Sequence, residues 1–210
     1  MKKVGIFGGA FDPIHRGHLQ MAIVACNSAK LDEMWLIPSG HSPNKNESDM
    51  EEGRHRYRMC ELAAMADERL TASPIEMESA EQSYTYRTLE RISERLPNTR
   101  LYFLMGGDSL DYFEQWKKPE RICELATILV AERNAFDSPA LARKASQLRE
   151  LFACNIQMVP FAPVALSSTQ LREQLAEGVA DSADFPPGVF DYNQTDGLYR
   201  HKTAQKAGKE

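Results

Sequence analysis

Short apolar runs alternate with segments of helical periodicity along most of the chain. The runs that read as strands lie at residues 3–7, 34–37, 101–105, 127–130 and 156–159, with a weaker candidate at 70–75. The segments between them place apolar side chains at helical spacing, namely Leu19, Ala22, Ile23 and Cys26, then Met59, Leu62, Ala63 and Ala66, then Leu141, Ala145, Leu148 and Phe152. Continuous apolar strands are typical of a parallel sheet covered on both faces. The pattern predicts an α/β fold, a Rossmann-like doubly wound parallel sheet with helices on both faces.

The length and composition favour one folded unit. The chain has 210 residues, of which 42% are hydrophobic, and this suffices for one substantial core. We expect a single domain over residues 1–200 and a polar, disordered tail at 201–210. No apolar stretch approaches the roughly 20 residues of a membrane span, and no leader segment is visible. We therefore expect a cytoplasmic protein without a membrane partner.

Charge and cysteine usage restrict the partners further. A net charge of −5 gives no basic surface of the kind that nucleic-acid phosphates require, so no nucleic-acid partner is expected. The cysteines lie far apart and form no C-x-x-C pair, and they are Cys26, Cys60, Cys123 and Cys154. This predicts buried free thiols in a reducing cytosol. The sequence leaves the oligomeric state open, a homo-oligomer included.

The strongest local signal follows the first predicted strand. Residues 8–18 read GGAFDPIHRGH and lead into the first helical segment. Glycines let a backbone approach a phosphate, and a helix N-terminus offers free N–H groups and the positive end of a dipole. The segment matches neither the Walker P-loop nor G-x-G-x-x-G. It predicts a phosphate-binding turn in which His15 and His18 donate to one phosphate chain. A zinc site is the less favoured alternative, because further ligands at suitable spacing are missing from the sequence.

A second candidate element lies near the C-terminus, where residues 166–172 read LSSTQLR. Ser167 or Ser168 is predicted to cap a helix that carries Leu171 and Leu175 on one face. Arg172 falls in the first turn, where a cation is unfavourable against the helix dipole unless an anion lies between them. The segment alone is equally compatible with an ordinary capped helix or with a phosphate site.

Together the two segments resemble the nucleotidyltransferases that carry a T/H-x-G-H motif. In that family both histidines contact the triphosphate of ATP, and an I-S-x-T-x-[IL]-R element holds the β- and γ-phosphates. The resemblance implies Mg²⁺ held mainly by the ATP phosphates, with no metal-ligating side chains. It gives His15, His18 and Arg172 catalytic roles. The residues to which it assigns ATP or phosphate contacts are Gly8, Gly9, Phe11, Gly106, Asp108, Ser167, Ser168 and Thr169.

Other segments resemble the nicotinate mononucleotide adenylyltransferase branch, and the likeness covers nearly the whole chain up to Arg200. Residues 106–110, GGDSL, resemble its G-x-D-S-L, in which the aspartate contacts ribose hydroxyls. Residues 83–89, SYTYRTL, resemble the element that receives the nicotinate carboxylate through backbone N–H groups before a helix. Trp116 stands where the branch stacks an aromatic on the pyridine ring, in a segment too polar for a core. The resemblance assigns mononucleotide contacts to Ala10, Tyr84, Thr85 and Trp116.

One loop departs from the pattern of the branch. Residues 38–45, PSGHSPNK, occupy the place of its P-P-H-K/R element, with Asn44 where a histidine is usual. Lys45 keeps the cation and is assigned a catalytic role. The function implied is transfer of AMP from ATP to nicotinate mononucleotide, which yields deamido-NAD and pyrophosphate for NAD biosynthesis. The alternatives are a small adenylyltransferase of the pantetheine-phosphate type and a nucleotide-binding regulatory module without turnover.

Overall fold

The strands form one parallel sheet. The computed structural model describes residues 1–40, 50–79, 81–132, 139–162 and 164–200. The strands are β1 (Lys2–Gly9), β2 (Glu33–Pro38), β3 (Leu70–Ala72), β4 (Thr99–Gly106), β5 (Ala126–Glu132) and β6 (Ile156–Pro160). Their order is β3-β2-β1-β4-β5-β6, and each neighbouring pair is parallel. This confirms the predicted α/β fold.

Helices follow the strands and cover both faces of the sheet. They are α1 (Arg16–Ala29), α2 (Gly53–Ala64), α3 (Thr85–Arg95), α4 (Gly107–Asp111), α5 (Pro119–Leu125), α6 (Pro139–Phe152), α7 (Ser168–Glu177) and α8 (Val189–Thr195). Side chains from α1, α2, α7 and α8 join one apolar core, and those from α3, α4, α5 and α6 join the other. The sheet lies between the two cores.

The central strand β4 shows why the strands read as continuous apolar runs. Leu101, Phe103 and Met105 belong to one core, whereas Tyr102 and Leu104 belong to the other. Successive side chains of a strand point to opposite faces, and here both faces are covered by helices. Every position in this stretch is therefore buried.

The predicted elements differ from the observed ones mainly at their ends. Strand β1 runs on through Gly8 and Gly9, so the predicted turn begins at Ala10. Strand β3 stops at Ala72 because only three of its residues pair with β2. Helix α2 ends at Ala64, and Ala66, predicted on its apolar face, is exposed beyond that end.

The prediction of four free cysteines is wrong for one pair. Cys26 and Cys60 are buried free thiols, but Cys123 and Cys154 form a disulfide with their Cα atoms 4.6 Å apart. Cys123 lies in α5, directly before β5, and Cys154 lies directly before β6. Because β5 and β6 are neighbours in the sheet, the segments that lead into them meet. A separation of 31 residues concealed this proximity in the sequence.

The structure bears only in part on the expected absence of a membrane span and on the expected C-terminal tail. Within the described ranges, none of the helices combines the length and the apolar character that crossing a membrane requires. Residues 201–210 lie outside the described residues, so the division into one domain and a tail stays a prediction.

Candidate active site

The sheet order places a crevice beyond the ends of β1 and β4. From β1 the sheet is extended on one side by β2 and β3 and on the other side by β4, β5 and β6, so the strand order reverses between β1 and β4. Doubly wound folds bind ligands at this reversal, past the carboxyl ends of the strands. A Cβ atom added at Gly8 or Gly106 would meet no described atom within 4 Å. By contrast, one added at Gly5 would lie 2.7 Å from the side chains of Leu31 and Met34. Packing thus explains Gly5, whereas Gly8 and Gly106 border open space that a ligand can approach.

The two predicted histidines stack at the start of α1. His15 is the N-cap residue, and its backbone N–H donates to Nδ1 of His18 at 3.3 Å. The ring centroids are 3.7 Å apart, with an angle of 31° between the planes. Because Nδ1 of His18 accepts a hydrogen bond, neutral His18 carries its proton on Nε2. The geometry therefore leaves His18 with a donor on the opposite edge of its ring.

Burial keeps His15 uncharged. Its exposed fraction is 7%, and desolvation lowers the pKa of its imidazole to about 4. Its side chain faces the backbone N–H of His18 in a capping-box arrangement, but the buried Nδ1 forms no full hydrogen bond among the described residues. Buried polar atoms nearly always have a partner, so this nitrogen is a candidate for contact with a bound anion.

Phe11 supports the histidine pair from behind. Its ring is 2% exposed and lies edge-on to His18, with centroids 5.2 Å apart, and edge-on to Phe7 at 5.3 Å. Its backbone has φ 48, in the left-handed region that few residues other than glycine adopt. The predicted contact of Phe11 with ATP would therefore come from its backbone, because the ring is enclosed.

The C-terminal element packs directly against the first turn. Ser167, one of the two serines predicted for this role, is the N-cap of α7, and its hydroxyl accepts from the Gln170 N–H at 3.2 Å. The Ser168 hydroxyl donates to the carbonyl of Pro13 at 3.0 Å. Nη1 of Arg172 donates to the carbonyl of Asp12 at 2.7 Å. The fold thus joins the two predicted phosphate elements, which lie more than 150 residues apart in the sequence.

Thr169 completes this side of the site. It is exposed, and its hydroxyl accepts from Nη2 of Arg172 at 3.2 Å. The side chain of Arg172 is 27% exposed, so the guanidinium is fixed at the surface of the crevice. Arg172 is the fifth residue of α7, one position beyond the predicted first turn, but its guanidinium reaches back to Thr169 and so can bind an anion near the helix N-terminus.

A cavity of about 120 Å³ opens beside the end of β1. Typical small-molecule sites enclose about 300–1,000 Å³, so this cavity suits one ring of a ligand and not a dinucleotide. Its lining includes Gly8, Gly9, Ser39, Thr85, Phe103 and Trp116. Trp116 is half-buried, and its ring centroid lies 6.0 Å from that of Phe103 and 5.4 Å from that of Phe113. One edge of the indole packs on the core while the side chain still borders the cavity.

Helix α3 starts at this cavity. Tyr84 is its N-cap residue, but the Tyr84 hydroxyl donates to Oε1 of Gln82 at 2.7 Å instead of capping the helix. The first N–H groups of a helix have no partner within the helix. The sequence predicts backbone donors to a carboxylate in the segment 83–89, and the first N–H groups of α3, at Thr85 and Tyr86, lie in that segment.

Glu76 lines the same cavity and was missed by the sequence analysis. Its Oε1 accepts from the Thr88 hydroxyl at 2.7 Å, and the Gly40 N–H also bonds to the carboxyl. Burial raises the pKa of Glu76 above its ordinary value, against these hydrogen bonds. The polar run around it reads as a loop, and the only signal was its position directly after the buried Ile75.

Arg56 is a second residue that the sequence analysis missed. It is 3% exposed, and its Nη1 donates to the carbonyl of Ala10 at 2.9 Å while its Nε donates to the carbonyl of Glu51 at 3.0 Å. A buried arginine on these carbonyls fixes the start of the turn. The available signal was its helical spacing from the apolar Met59 and Ala63.

For Asp108 and Lys45, the described part of the structure shows no contact that bears on the predicted role. Asp108 is exposed in the first turn of α4, directly after the end of β4, which is where the prediction needs it. Lys45 and Asn44 lie outside the described residues, so the predicted role of Lys45 stays a prediction.

Groups of three or more acidic, histidine or cysteine side chains that could hold a metal ion do not occur in the part of the chain that the structure describes.

The strand order and the histidine-bearing turn define a nucleotide-binding α/β protein. The chain belongs to the cytidylyltransferase-like family, whose model matches residues 6–174. A relative from Clostridium tetani, named "Probable nicotinate-nucleotide adenylyltransferase", is 34% identical over 200 residues, which are 95% of this chain and 100% of the relative. One of the same name from Lachnoclostridium phytofermentans is 35% identical over 199 residues, again 95% and 100% of the two chains.

A solved structure shows the same fold. It is the Plasmodium falciparum nicotinic acid mononucleotide adenylyltransferase complexed with NaAD, with a TM-score of 0.74 and 21% identity over 95% of this chain and 98% of the other. The family recognised from the motifs and the Rossmann-like fold are thereby confirmed. The roles of the individual site residues stay predictions.

Proposed function

We propose that this chain is a nicotinate-nucleotide adenylyltransferase, which transfers AMP from ATP to nicotinate mononucleotide and releases pyrophosphate. The observation that carries the proposal is the contact between the two phosphate elements, in which Arg172 donates to the carbonyl of Asp12 at 2.7 Å. This contact brings the guanidinium, the N-terminus of α7 and the histidine turn to one crevice at the reversal point of the sheet. The family relatives carry the name of the same activity.

The chemistry needs alignment and neutralisation of charge more than acid–base catalysis. The phosphate of the mononucleotide is already anionic at neutral pH, so it attacks the α-phosphorus of ATP without a general base. The bond from the α-phosphorus to the bridging oxygen breaks, and pyrophosphate leaves with the electron pair. Positioning of two anions and stabilisation of the leaving group are the tasks left to the protein.

The described residues supply donors for both tasks. His18 offers its Nε2 proton, because its Nδ1 is occupied by the His15 N–H at 3.3 Å. Arg172 offers a permanent charge that the contact with Asp12 holds in place. ATP enters as its Mg²⁺ complex, in which the phosphates are the main ligands of the ion. Lys45, which follows β2 in the sequence, would add a further cation. We place the reaction in the cytoplasm.

The cavity beside β1 is the proposed site of the nicotinate ring. Trp116 borders it as a flat apolar surface, and the N-terminus of α3 at Thr85 offers backbone N–H groups to the carboxylate. The cavity is too small for more than one ring, which agrees with a ligand whose ribose and phosphate extend toward Gly106 and Asp108. The acceptor of a pantetheine-phosphate adenylyltransferase would have no aromatic ring to stack on Trp116.

The test of this site is acceptor-dependent release of pyrophosphate from ATP. His18→Ala should lower turnover by about 10²-fold or more, because one preorganised donor to developing charge is worth about 3 kcal/mol. His55→Gln is the matched control, since His55 lies outside the crevice and bonds to Tyr192 at 2.8 Å. A rate that is unchanged in His18→Ala, with the protein folded, would remove this residue from the catalytic set.

A further inference from the structure

The carboxylate of Asp12 is buried inside the phosphate-binding turn. Asp12 is 2% exposed, and burying a charged carboxylate costs free energy unless hydrogen bonds compensate for the lost hydration. Oδ1 accepts two of them, from the backbone N–H of Glu51 at 3.1 Å and from the hydroxyl of Tyr199 at 2.9 Å. Both donors approach the same oxygen. The other oxygen, Oδ2, is the one that faces Arg172.

Arg172 forms an ion pair with this carboxylate but no hydrogen bond to it. Its Nη1 lies 2.7 Å from the carbonyl oxygen of Asp12 but 3.8 Å from Oδ2, beyond the length of a hydrogen bond. Its Nη2 donates to Thr169. Guanidinium carries five N–H donors, and these two bonds leave others for an anion. The side chain is therefore oriented by the turn while its charge is still available in the crevice.

Tyr199 is held firmly in its place beneath the turn. It is 3% exposed, its backbone has φ 67 in the left-handed region, and its N–H donates to Oε1 of Glu51 at 3.2 Å. Burial, together with the carboxylate of Asp12, raises the pKa of Tyr199 well above its ordinary value. Its hydroxyl therefore remains a donor at any pH at which the protein would be assayed.

We propose that Tyr199 is a positioning residue for the ATP phosphates, whose hydroxyl keeps the carboxylate of Asp12 from forming a hydrogen-bonded pair with Arg172 and so leaves guanidinium donors to the triphosphate. The inference rests on the proposed adenylyl transfer. Without the hydroxyl, Oδ1 loses one of its two donors, and the carboxylate turns toward the nearest cation. A charge-assisted pair of carboxylate and guanidinium is the strongest replacement within reach. Arg172 is then engaged inside the protein and binds the triphosphate less well.

The test compares two tyrosines of the C-terminal segment. Tyr199→Phe removes only the hydroxyl on Asp12, and Tyr192→Phe removes a hydroxyl that bonds to His55 at 2.8 Å instead. Tyr199→Phe should raise the KM for ATP about tenfold, as expected for a weakened charged hydrogen bond, and change the KM for the mononucleotide less than about twofold. Tyr192→Phe should change neither KM more than about twofold.

A double variant shows whether the effect passes through Asp12. In an Asp12→Asn background the side chain has no charge to draw Arg172 inward, so adding Tyr199→Phe should raise the KM for ATP less than about twofold. Equal losses in both tyrosine variants, or an unchanged KM for ATP in Tyr199→Phe, would overturn the inference. A wild-type protein that neither binds Mg²⁺–ATP in calorimetry nor releases pyrophosphate would instead contradict the proposed function, so the two failures are distinct.

Discussion

Acidification should destabilise this protein through His15. Burial sets the pKa of this imidazole at about 4 in the folded state, against 6.5 for an unperturbed histidine. A group whose folded pKa lies below its unfolded value contributes stability above the unfolded pKa and loses it as the pH falls toward the folded pKa. The pH window is therefore 6.5 down to 4. The full contribution is about 3 kcal/mol, of which about 2 kcal/mol is lost by pH 5.

The assay is urea unfolding of the wild type and of His15→Gln at a series of pH values from 7.5 to 5. The free energy of unfolding of the wild type should fall more steeply, by about 2 kcal/mol over this range, because glutamine does not titrate. His55→Gln should keep the wild-type slope, since its His15 is intact. Saturating Mg²⁺–ATP should narrow the difference, because a phosphate beside the ring favours the charged imidazole. Parallel curves for the wild type and His15→Gln would show that His15 does not cause the loss of stability.

Substitutions in the interior strand β1 and in the ring cavity test the remaining assignments. Gly5→Ala, whose Cβ would meet two side chains at 2.7 Å, should destabilise the fold by about 1 kcal/mol in thermal melts. Gly8→Ala should melt like the wild type but lose about tenfold or more in kcat/KM, because its Cβ enters only the space of the ligand. Trp116→Ala should raise the KM for nicotinate mononucleotide about tenfold and that for ATP less than twofold, and equal changes would make it a packing residue. Nicotinate mononucleotide should be preferred over nicotinamide mononucleotide about 10²-fold in kcat/KM, because its carboxylate can accept two charged hydrogen bonds at the N-terminus of α3. A preference for the amide would indicate that Glu76 contacts the ring substituent instead.

The sheet could be predicted because the burial of each central strand shows in the strand's own residues. Helices on both faces force each central strand to be apolar at every position, and this shows as an uninterrupted run such as residues 101–105. A serine N-cap at residue 167 or 168 was also predictable, since a serine before a helical pattern can accept a hydrogen bond from the first turn, and the structure selects Ser167. Strand β3 was overestimated because its end depends on pairing with β2, which the sequence does not display.

The supports of the site could not be predicted, because they depend on contacts across the fold. The hydroxyl of Tyr199 reaches a carboxylate 187 residues earlier, and Arg56 reaches the carbonyl of Ala10 across 46 residues. Neither bond has a local pattern that would mark it. The enclosure of Phe11 behind His18 is similar, because the turn that carries it reads as a ligand-binding segment throughout. The motifs predict where the phosphates bind, and the packing beneath them becomes visible only in three dimensions.

The most direct test of the account is a competition among acceptors. The wild-type protein would be incubated with ATP, Mg²⁺ and equal amounts of nicotinate mononucleotide, nicotinamide mononucleotide and phosphopantetheine, with the adenylylated products separated by chromatography and pyrophosphate measured in parallel. We expect deamido-NAD as the main product, formed in a one-to-one ratio with pyrophosphate. Adenylylated phosphopantetheine as the main product, or ATP that is bound but never consumed, would contradict the proposed function.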